Sequence, residues 1–403
     1  MRPDHRPVAG LSVAILGGTG FLGSRLGAAF TAHGARVHLL ARTAGPAPTR
    51  PVHPAADPAS AVTAAPVHTP VHAGSAAAAP SGPTPALPAS AVAAPVHPGP
   101  PVAHAVTVAP LDLLAARPEE ITEALLAVGA DVVVNAAGRA WRADEAEMAA
   151  GNAELVERVV AALAALPGPP VRLVQLGSVH EYGAGAPDGA TGEDHEPAPV
   201  TPYGRTKLLG TRAVLRAARE RGVDGVVLRL ANVIGAGVPQ GSLFGRVAGH
   251  LGEAARSGAR GERAAALRLP PLRAARDLVD ADDVADAVLA AATAPGAAVT
   301  GRVINVGRGE AVPMRGLIDR MIALSGLEIP LVEAAEAPAS RTDVARQCLD
   351  VSRARALLGW RPLRSVDDSL RDLLASVLPP EHPPLGTPLG ITAGAPAEEG
   401  NRP

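Results

Sequence analysis

Short apolar runs alternate along the chain with longer segments in which apolar residues recur at helical spacing. The first example is the run at 11–16, which is followed by a glycine-rich loop and a periodic segment at 24–33. The runs predict buried strands, and the periodic segments predict amphipathic helices. Further strands are predicted at 37–40, 105–108, 131–134, 171–176, 225–230 and 303–306. Further helices are predicted at 118–128, 147–166, 203–221, 243–257, 282–292 and 352–358.

Strands that alternate with helices predict an α/β fold with a doubly wound parallel sheet. We expect this domain to comprise residues 8–45 and 102–235, interrupted by a segment at 46–101 that is rich in Pro, Ala, Val, His and Ser. Because proline removes a backbone donor and fixes φ, the segment is predicted to be a disordered surface insertion. A looser pattern predicts a smaller region over 236–378, with elements that return to the sheet, and a flexible tail over 379–403.

The composition is that of a globular protein, with 403 residues of which 47% are hydrophobic and 19% charged. A formal net charge of -2 and the absence of a Lys/Arg run make nucleic acid an unexpected partner. The single cysteine, Cys348, fits a reducing cytoplasm, and we expect it to be buried filler. The apolar runs are much shorter than the roughly 20 residues of a membrane helix. We therefore expect a cytoplasmic protein without membrane attachment or a metal site.

A glycine motif, Gly17-x-x-Gly20-x-x-Gly23, lies between the first predicted strand and the first predicted helix. Glycines there let the backbone approach a pyrophosphate, and the helix N-terminus offers unpaired N–H donors to it. The motif therefore predicts dinucleotide binding. At the end of the second strand, where NAD sites usually carry an acid, the chain has Ala41 and then Arg42. Because Arg42 would meet a 2′-phosphate, we expect NADP, with NAD as the alternative.

Tyr203 and Lys207 lie four residues apart at the start of a predicted helix. This spacing places both side chains on one face, where the ammonium would lower the pKa of the phenol. The chain contains only two tyrosines, and the other, Tyr182, follows a predicted strand that ends near Ser178. The Ser178 hydroxyl could polarise a carbonyl, although taken alone it would equally suit a local backbone hydrogen bond.

Taken together, these residues resemble the extended short-chain dehydrogenase/reductases, in particular the nucleotide-sugar epimerase, dehydratase and reductase branch. The resemblance covers nearly the whole chain apart from the insertion and the tail, and it depends on the order of its blocks. The blocks are the glycine loop, Asp112-Leu113, Asn135-Ala-Ala-Gly138, Asn152, and the segments 228–235, 276–284, 305–307 and 350–362.

The resemblance implies a Rossmann domain that binds NAD(P), and hydride transfer between the nicotinamide and a sugar carbon. It assigns catalysis to Ser178, Tyr203 and Lys207, and substrate binding to the region over 236–378. The implied cofactor-binding residues are Gly17, Thr19, Gly20, Phe21, Leu22, Gly23, Arg42, Asp112, Leu113, Asn135, Ala136, Ala137, Tyr203 and Lys207. The implied substrate-binding residues are Ser178, His180, Asn232, Arg276 and Arg341.

The residues after Ser178 indicate the branch of the family. The 4,6-dehydratases carry Asp and Glu at these two positions, where this chain has Val179 and His180. Valine cannot act as an acid, which argues against dehydration. His180 has a suitable titration range for proton transfer, but the favoured interpretation is that it forms a polar wall of the pocket. Glu181 is expected to be a loop anion.

Our preferred hypothesis is an NADP-dependent reductase that acts on the 4-keto group of a nucleoside-diphosphate 4-keto-6-deoxysugar. The alternative is an NAD-dependent nucleotide-sugar 4-epimerase. A non-catalytic nucleotide-binding regulator is a third hypothesis, which the presence of both Tyr203 and Lys207 disfavours. A homodimer that uses the helices at 147–166 and 203–221 is also possible, although their Ala/Leu-rich faces would equally suit packing on the sheet.

Overall fold

The structure, a computed structural model, describes residues 5–42, 106–140, 143–334 and 344–382. The described residues all fall within one compact unit of the chain. The predicted insertion at 46–101, most of the predicted tail and Arg341 lie outside the described residues.

The elements of the described chain largely follow the predicted alternation. The strands are β1 (Ser12–Leu16), β2 (Arg36–Ala41), β3 (Val106–Pro110), β4 (Val132–Asn135), β5 (Arg172–Ser178), β6 (Gly225–Leu230), β7 (Asn232–Ile234), β8 (Leu267–Leu269), β9 (Ala275–Asp280), β10 (Val303–Val306), β11 (Ala311–Pro313), β12 (Leu331–Glu333) and β13 (Arg346–Gln347). The helices are α1 (Phe21–Ala32), α2 (Pro118–Ala127), α3 (Glu145–Ala149), α4 (Leu155–Ala165), α5 (Pro202–Arg221), α6 (Leu243–Ala259), α7 (Ala281–Thr293), α8 (Gly296–Val299), α9 (Met314–Ser325), α10 (Ser352–Leu358) and α11 (Val366–Ala375).

The central sheet has seven strands in the order β3-β2-β1-β4-β5-β6-β10. Every neighbouring pair in it is parallel. From β1 the strands continue to one edge through β2 and β3, and from β4 they continue to the other edge through β5, β6 and β10. The direction of winding therefore reverses between β1 and β4. Such a reversal opens a crevice at the carboxyl ends of the strands, where ligands of doubly wound sheets bind. The predicted α/β fold with a doubly wound, Rossmann-type sheet is confirmed.

The sheet is covered on both faces, which explains why its inner strands are mostly apolar. Phe30 of α1 and Val288 of α7 pack in the apolar cluster on one face. Ile121 of α2, Val159 of α4 and Val214 of α5 pack in the cluster on the other face. Because the helices cover the sheet from both sides, polar groups can converge only at the strand ends.

The C-terminal part has an apolar cluster of its own, to which α6, α9 and α11 contribute. Beside it, β9 pairs with β7, β11 and β13, and β8 pairs with β12. The helices α9 and α11 and these small sheets were not among the predicted elements. The assignment of 236–378 to substrate binding stays a prediction.

The helix predicted at 147–166 is interrupted in the structure. A π-helical turn at Ala150–Glu154 separates α3 from α4 and buries Asn152. π-helical turns are a common device at functional sites, and this one lies beside the cleft described below. Among the described helices, none combines the length and apolar character needed to cross a lipid bilayer.

Candidate active site

A cleft with a cavity volume of about 240 Å³ lies at the carboxyl ends of β1, β2 and β4. The glycine loop after β1 forms part of its wall. Arg42, the residue that follows β2, and Asp112, which lies shortly after β3, also line the cleft. The predicted cofactor residues that line this cleft are Gly17, Thr19, Gly20, Arg42, Asp112, Leu113, Ala136 and Ala137. The structure therefore brings residues from four separate loops to one cavity.

The first and last glycines of the loop, Gly17 and Gly23, have no room for a side chain. A Cβ on Gly23 would lie 2.2 Å from the carbonyl oxygen of Gly17, and a Cβ on Gly17 would lie 2.7 Å from Cα of Ala137. Gly17 also has a φ of 74°, a value that favours glycine. Helix α1 begins after Gly20 without a side-chain cap, so its first N–H groups are left for a ligand. The loop therefore fits a phosphate group held against the helix N-terminus.

The remaining predicted cofactor residues near the loop support the cleft from behind. Phe21 packs against the C-terminal apolar cluster, and Leu22 packs against the sheet core. Asn135 is buried at the end of β4, where its Nδ2 donates to Gln175 at 2.8 Å. Its Oδ1 accepts a hydrogen bond from the backbone of Ala137 at 3.2 Å. Asn135 therefore fixes the loop that lies against the glycine motif.

Asn152 holds the same loop from the other side. Its Oδ1 accepts from the Arg139 N–H at 2.8 Å, and its Nδ2 donates to the Arg139 carbonyl at 2.8 Å. Nδ2 also lies 3.1 Å from Oγ1 of Thr206 on α5. The π-helical turn therefore connects the loop after β4 with the helix that carries Tyr203 and Lys207.

Ser178, Tyr203 and Lys207 meet where β5 ends and α5 begins. Ser178 is the last residue of β5, and its hydroxyl is hydrogen-bonded to Tyr203. The same hydroxyl accepts from the His180 N–H at 3.3 Å. Lys207 lies one turn further along α5 and donates from Nζ to the Leu176 carbonyl. The structure thus places the three predicted catalytic side chains side by side.

The buried position of this group determines its protonation. Burial raises the pKa of Tyr203 to about 12, with the charge of Glu181 acting in the same direction and the Ser178 hydrogen bond against it. Burial lowers the pKa of Lys207, and Glu181 opposes that shift. The expected lowering of the Tyr203 pKa is wrong for this structure, because burial dominates and the ammonium is bonded to Leu176. Tyr203 is consequently a protonated phenol at neutral pH.

His180 lies beside the Ser178, Tyr203 and Lys207 group. Its ring lies edge-on to Tyr203 with the ring centroids 5.6 Å apart, and its side chain is hydrogen-bonded to Asn232. Burial and the positive charge of Arg276 lower the pKa of His180 to about 4, so the imidazole is neutral at physiological pH. The predicted substrate residues Asn232 and Arg276 therefore lie near His180, whereas Arg341 is outside the described residues.

Glu181 is not the loop anion that the sequence led us to expect. Its side chain is 0% exposed and forms an ion pair at 2.8 Å with Arg229 of β6. Sequence reasoning missed this pair, although an arginine inside the apolar strand Gly225–Leu230 is itself a signal, because a buried charge needs a partner. Val179 is buried in the sheet core and offers no acid. The prediction that Cys348 is buried is confirmed.

A doubly wound sheet with a glycine loop at its switch point and a Ser-Tyr-Lys group beside β5 defines an oxidoreductase or epimerase of the extended short-chain dehydrogenase/reductase type. A family model extends the assignment over most of the chain, since it matches residues 13–307. The chain belongs to the NAD dependent epimerase/dehydratase family.

Known relatives agree with this assignment. The chain is 40% identical over 362 residues to a dTDP-6-deoxy-L-talose 4-dehydrogenase (NAD(P)(+)) of Kitasatospora kifunensis, covering 90% of this chain and 94% of that protein. It is 28% identical over 233 residues to a UDP-glucose 4-epimerase of Azospirillum brasilense, covering 54% of this chain and 63% of that protein. The solved structure of MoeE5 in complex with UDP-glucuronic acid and NAD has a TM-score of 0.63 and 22% identity, covering 91% of this chain and 98% of that one. This last likeness supports the fold.

Proposed function

We propose that the protein interconverts the 4-hydroxyl and 4-keto groups of a nucleoside-diphosphate 6-deoxysugar, and that it acts as an NADP-dependent 4-ketoreductase. The observation that carries the proposal is the hydrogen-bonded pair of Ser178 and a protonated Tyr203, with Lys207 one helical turn away. The relative at 40% identity supports it, because its name describes a 4-dehydrogenase of a dTDP-6-deoxysugar. A dehydrogenase and a ketoreductase catalyse the same reaction in opposite directions.

The cleft at the switch point fits the cofactor, because the glycine loop packs tightly on its own backbone and on Ala137, and its residues line the cleft beside the N-terminus of α1. The glycine loop would hold the diphosphate, and Asp112 and Leu113 would border the adenine side. Bound NAD(P)H supplies the hydride. Arg42 would pair with a 2′-phosphate, which is the reason to propose NADP rather than NAD.

Ser178, Tyr203 and Lys207 would each have a separate role in the proton transfer. The Ser178 hydroxyl would hydrogen-bond the ketone oxygen and hold it against the Tyr203 hydroxyl. As the carbonyl carbon is reduced, the Tyr203 O–H bond breaks and its proton forms the new hydroxyl of the sugar. Lys207 would stabilise the resulting phenolate with its positive charge and hold a ribose of the cofactor. A pKa of Tyr203 near 12 suits this direction, since the phenol begins each turnover protonated.

The substrate would lie over His180, with its diphosphate near Asn232 and Arg276 and with Arg341 as a further predicted contact. His180, as a neutral imidazole, would line the sugar pocket and form hydrogen bonds with the sugar. Because the residue before it, Val179, is buried and apolar, the dehydration chemistry of the 4,6-dehydratases is not supported.

The 4-epimerase remains the second candidate, supported by the relative that is a UDP-glucose 4-epimerase. An epimerase would use the same Ser178, Tyr203 and Lys207 but would retain one NAD and return the hydride to the opposite face of the ketone. The two functions differ in whether reduced cofactor is consumed.

A panel of nucleoside-diphosphate 4-keto-6-deoxysugars, assayed by NADPH and NADH oxidation, tests the proposal. We expect stoichiometric NADPH consumption, and a fall of roughly 10² to 10⁴-fold in kcat for Tyr203→Phe. Tightly bound NAD in the purified protein, together with conversion of a sugar nucleotide without net oxidation, would overturn the reductase in favour of the epimerase.

A further inference from the structure

Glu181 and Arg229 form a buried ion pair directly behind the Ser178 end of the site. The exposed fractions of the two side chains are 0% and 2%. Two guanidinium nitrogens of Arg229 converge on one carboxylate oxygen, Oε2, with Nε at 2.9 Å and Nη2 at 2.8 Å. The other carboxylate oxygen, Oε1, is therefore available to a different donor.

That donor is the backbone of Ser178, whose N–H lies 2.8 Å from Oε1 of Glu181. The carboxylate also lies against Gly177, where a Cβ would come within 2.7 Å of Oε1. Ser178 is thus held through its backbone by Glu181 and through its hydroxyl by Tyr203. Since the hydroxyl reaches Tyr203 from that backbone position, the carboxylate determines where the hydroxyl lies.

The far side of the pair is anchored in the sheet. The Arg229 guanidinium stacks on the ring of Tyr182 at 4.2 Å from its centroid. The Tyr182 hydroxyl donates to Oδ1 of Asn305 at 2.9 Å, and Asn305 in turn donates to the Thr191 carbonyl at 3.0 Å. These contacts join β6, β10 and the turn after β5, so the ion pair belongs to a hydrogen-bonded and stacked network that connects three parts of the fold.

The charge of Glu181 also acts on the reacting group, because it raises the pKa of both Tyr203 and Lys207. In the described part of the chain, the charged and titratable groups near Tyr203 include Lys207 on its own helix and His180 and Glu181 on the turn after β5. Arg276 lies beside His180, and Arg229 of β6 lies behind Glu181. For stability alone an apolar pair would serve about as well, since burying two charges carries a large desolvation cost.

We propose that Glu181, fixed by Arg229, is a positioning residue of the active site, which holds Ser178 against Tyr203 and supplies the negative charge that faces Lys207. The proposal rests on the proposed function in one respect, namely that Tyr203 transfers the proton. Neither Glu181 nor Arg229 touches the reacting atoms in this account. Both act through Ser178, Tyr203 and Lys207.

The test uses paired substitutions, because removing one partner would leave a buried charge alone. Glu181→Gln with Arg229→Met removes both charges but keeps a carbonyl that can accept from Ser178. Glu181→Met with Arg229→Met removes the acceptor as well. The matched control is Arg172→Met with Asp224→Asn, which removes a largely buried pair, 2.8 Å apart, at the opposite end of β5. Melting temperature and NADPH binding establish that each variant is folded.

We expect kcat for reduction of the 4-keto sugar, assayed by NADPH oxidation, to fall by about tenfold or more in the Met/Met variant, and the Gln/Met variant to recover part of that loss. In both variants the pH profile of kcat should move to lower pH, because the charge that opposes ionisation of Tyr203 is gone. The control pair should leave kcat and its pH profile unchanged. The proposal would be overturned if kcat and its pH profile changed no more in the Met/Met and Gln/Met variants than in the control.

A substrate-free measurement separates this proposal from the proposed function. The chain has only two tyrosines, so in a Tyr182→Phe background the ultraviolet absorbance of the phenolate reports Tyr203 alone. We expect Tyr203 to ionise at lower pH in the folded double variants than in the background protein. An unchanged titration overturns the positioning role even if the sugar-nucleotide assay succeeds, and a shifted titration supports it even if that assay fails.

Discussion

Gly204 permits the close approach of α5 to the turn that follows β5, and its substitution should separate the catalytic side chains. It is the residue after Tyr203, and a Cβ there would lie 2.3 Å from the His180 carbonyl oxygen. Restoring ordinary contact requires α5 or the turn to move by about 1 Å. Such overpacking costs about 1–3 kcal/mol, of which the better helix propensity of alanine recovers about 0.5–1 kcal/mol.

The larger effect of Gly204→Ala should be kinetic. A displacement of about 1 Å between Tyr203 and Ser178 is expected to lower kcat by about 10²-fold. The assay is NADPH oxidation with a nucleoside-diphosphate 4-keto-6-deoxysugar, alongside thermal unfolding and NADPH binding. We expect a melting temperature only a few degrees lower than that of the wild type.

Gly249→Ala is the matched control, because Gly249 also lies inside a helix, α6, but a Cβ there meets no atom within 4 Å. This control should be stabilised by about 0.5–1 kcal/mol and keep full activity. If Gly204→Ala retained the wild-type kcat, the separation between α5 and the turn would not control catalysis.

Two further predictions follow from the charges around the site. The pKa of His180 is lowered from 6.5 to about 4, so the unfolded chain takes up the proton first as pH falls, and stability present above pH 6.5 is lost toward pH 4. Urea unfolding should show this loss as a fall of up to about 3 kcal/mol in the free energy of unfolding, and the fall should be absent in His180→Gln. An equal fall in the variant would contradict the attribution of the loss to His180. Arg42→Ala should raise the Kd for NADPH by about 10- to 100-fold in a fluorescence titration and leave NADH binding unchanged, with Arg36→Ala at the other end of β2 as the control. Equal weakening of both cofactors would show that Arg42 does not meet the 2′-phosphate.

The fold could be predicted because each inner strand is visible in the local sequence as a short run of apolar residues. β6, β10 and α10 have the predicted bounds at 225–230, 303–306 and 352–358. Apart from the interrupted helix at 147–166, the other predicted elements differ by a few residues at their ends. Parallel strands covered on both faces are apolar over most of their length, so short runs such as these are recognisable without any knowledge of their neighbours. The residues for catalysis were found in the same way, from their positions at strand and helix ends, and their roles stay predictions.

Features that depend on distant contacts could not be predicted. The helix at 147–166 shows no local signal for its π-helical turn, which is coupled to the loop at Arg139 by Asn152. Glu181 and Arg229 are 48 residues apart, and only the pairing of β5 with β6 brings them together. The pKa of Tyr203 was misjudged because spacing along a helix reveals a neighbouring charge but not the degree of burial.

The strand order also determines when each part of the sheet can be completed during synthesis. β1 and β2 pair soon after they are made, but β6 is covered on its outer side only by β10, whose Val303 lies opposite Val227. Pairings over such sequence separations are slow, and exposed strand edges can join other chains. The outer edge of β6 therefore stays open to other chains until β10, which ends at Val306, has been made and can pair with it.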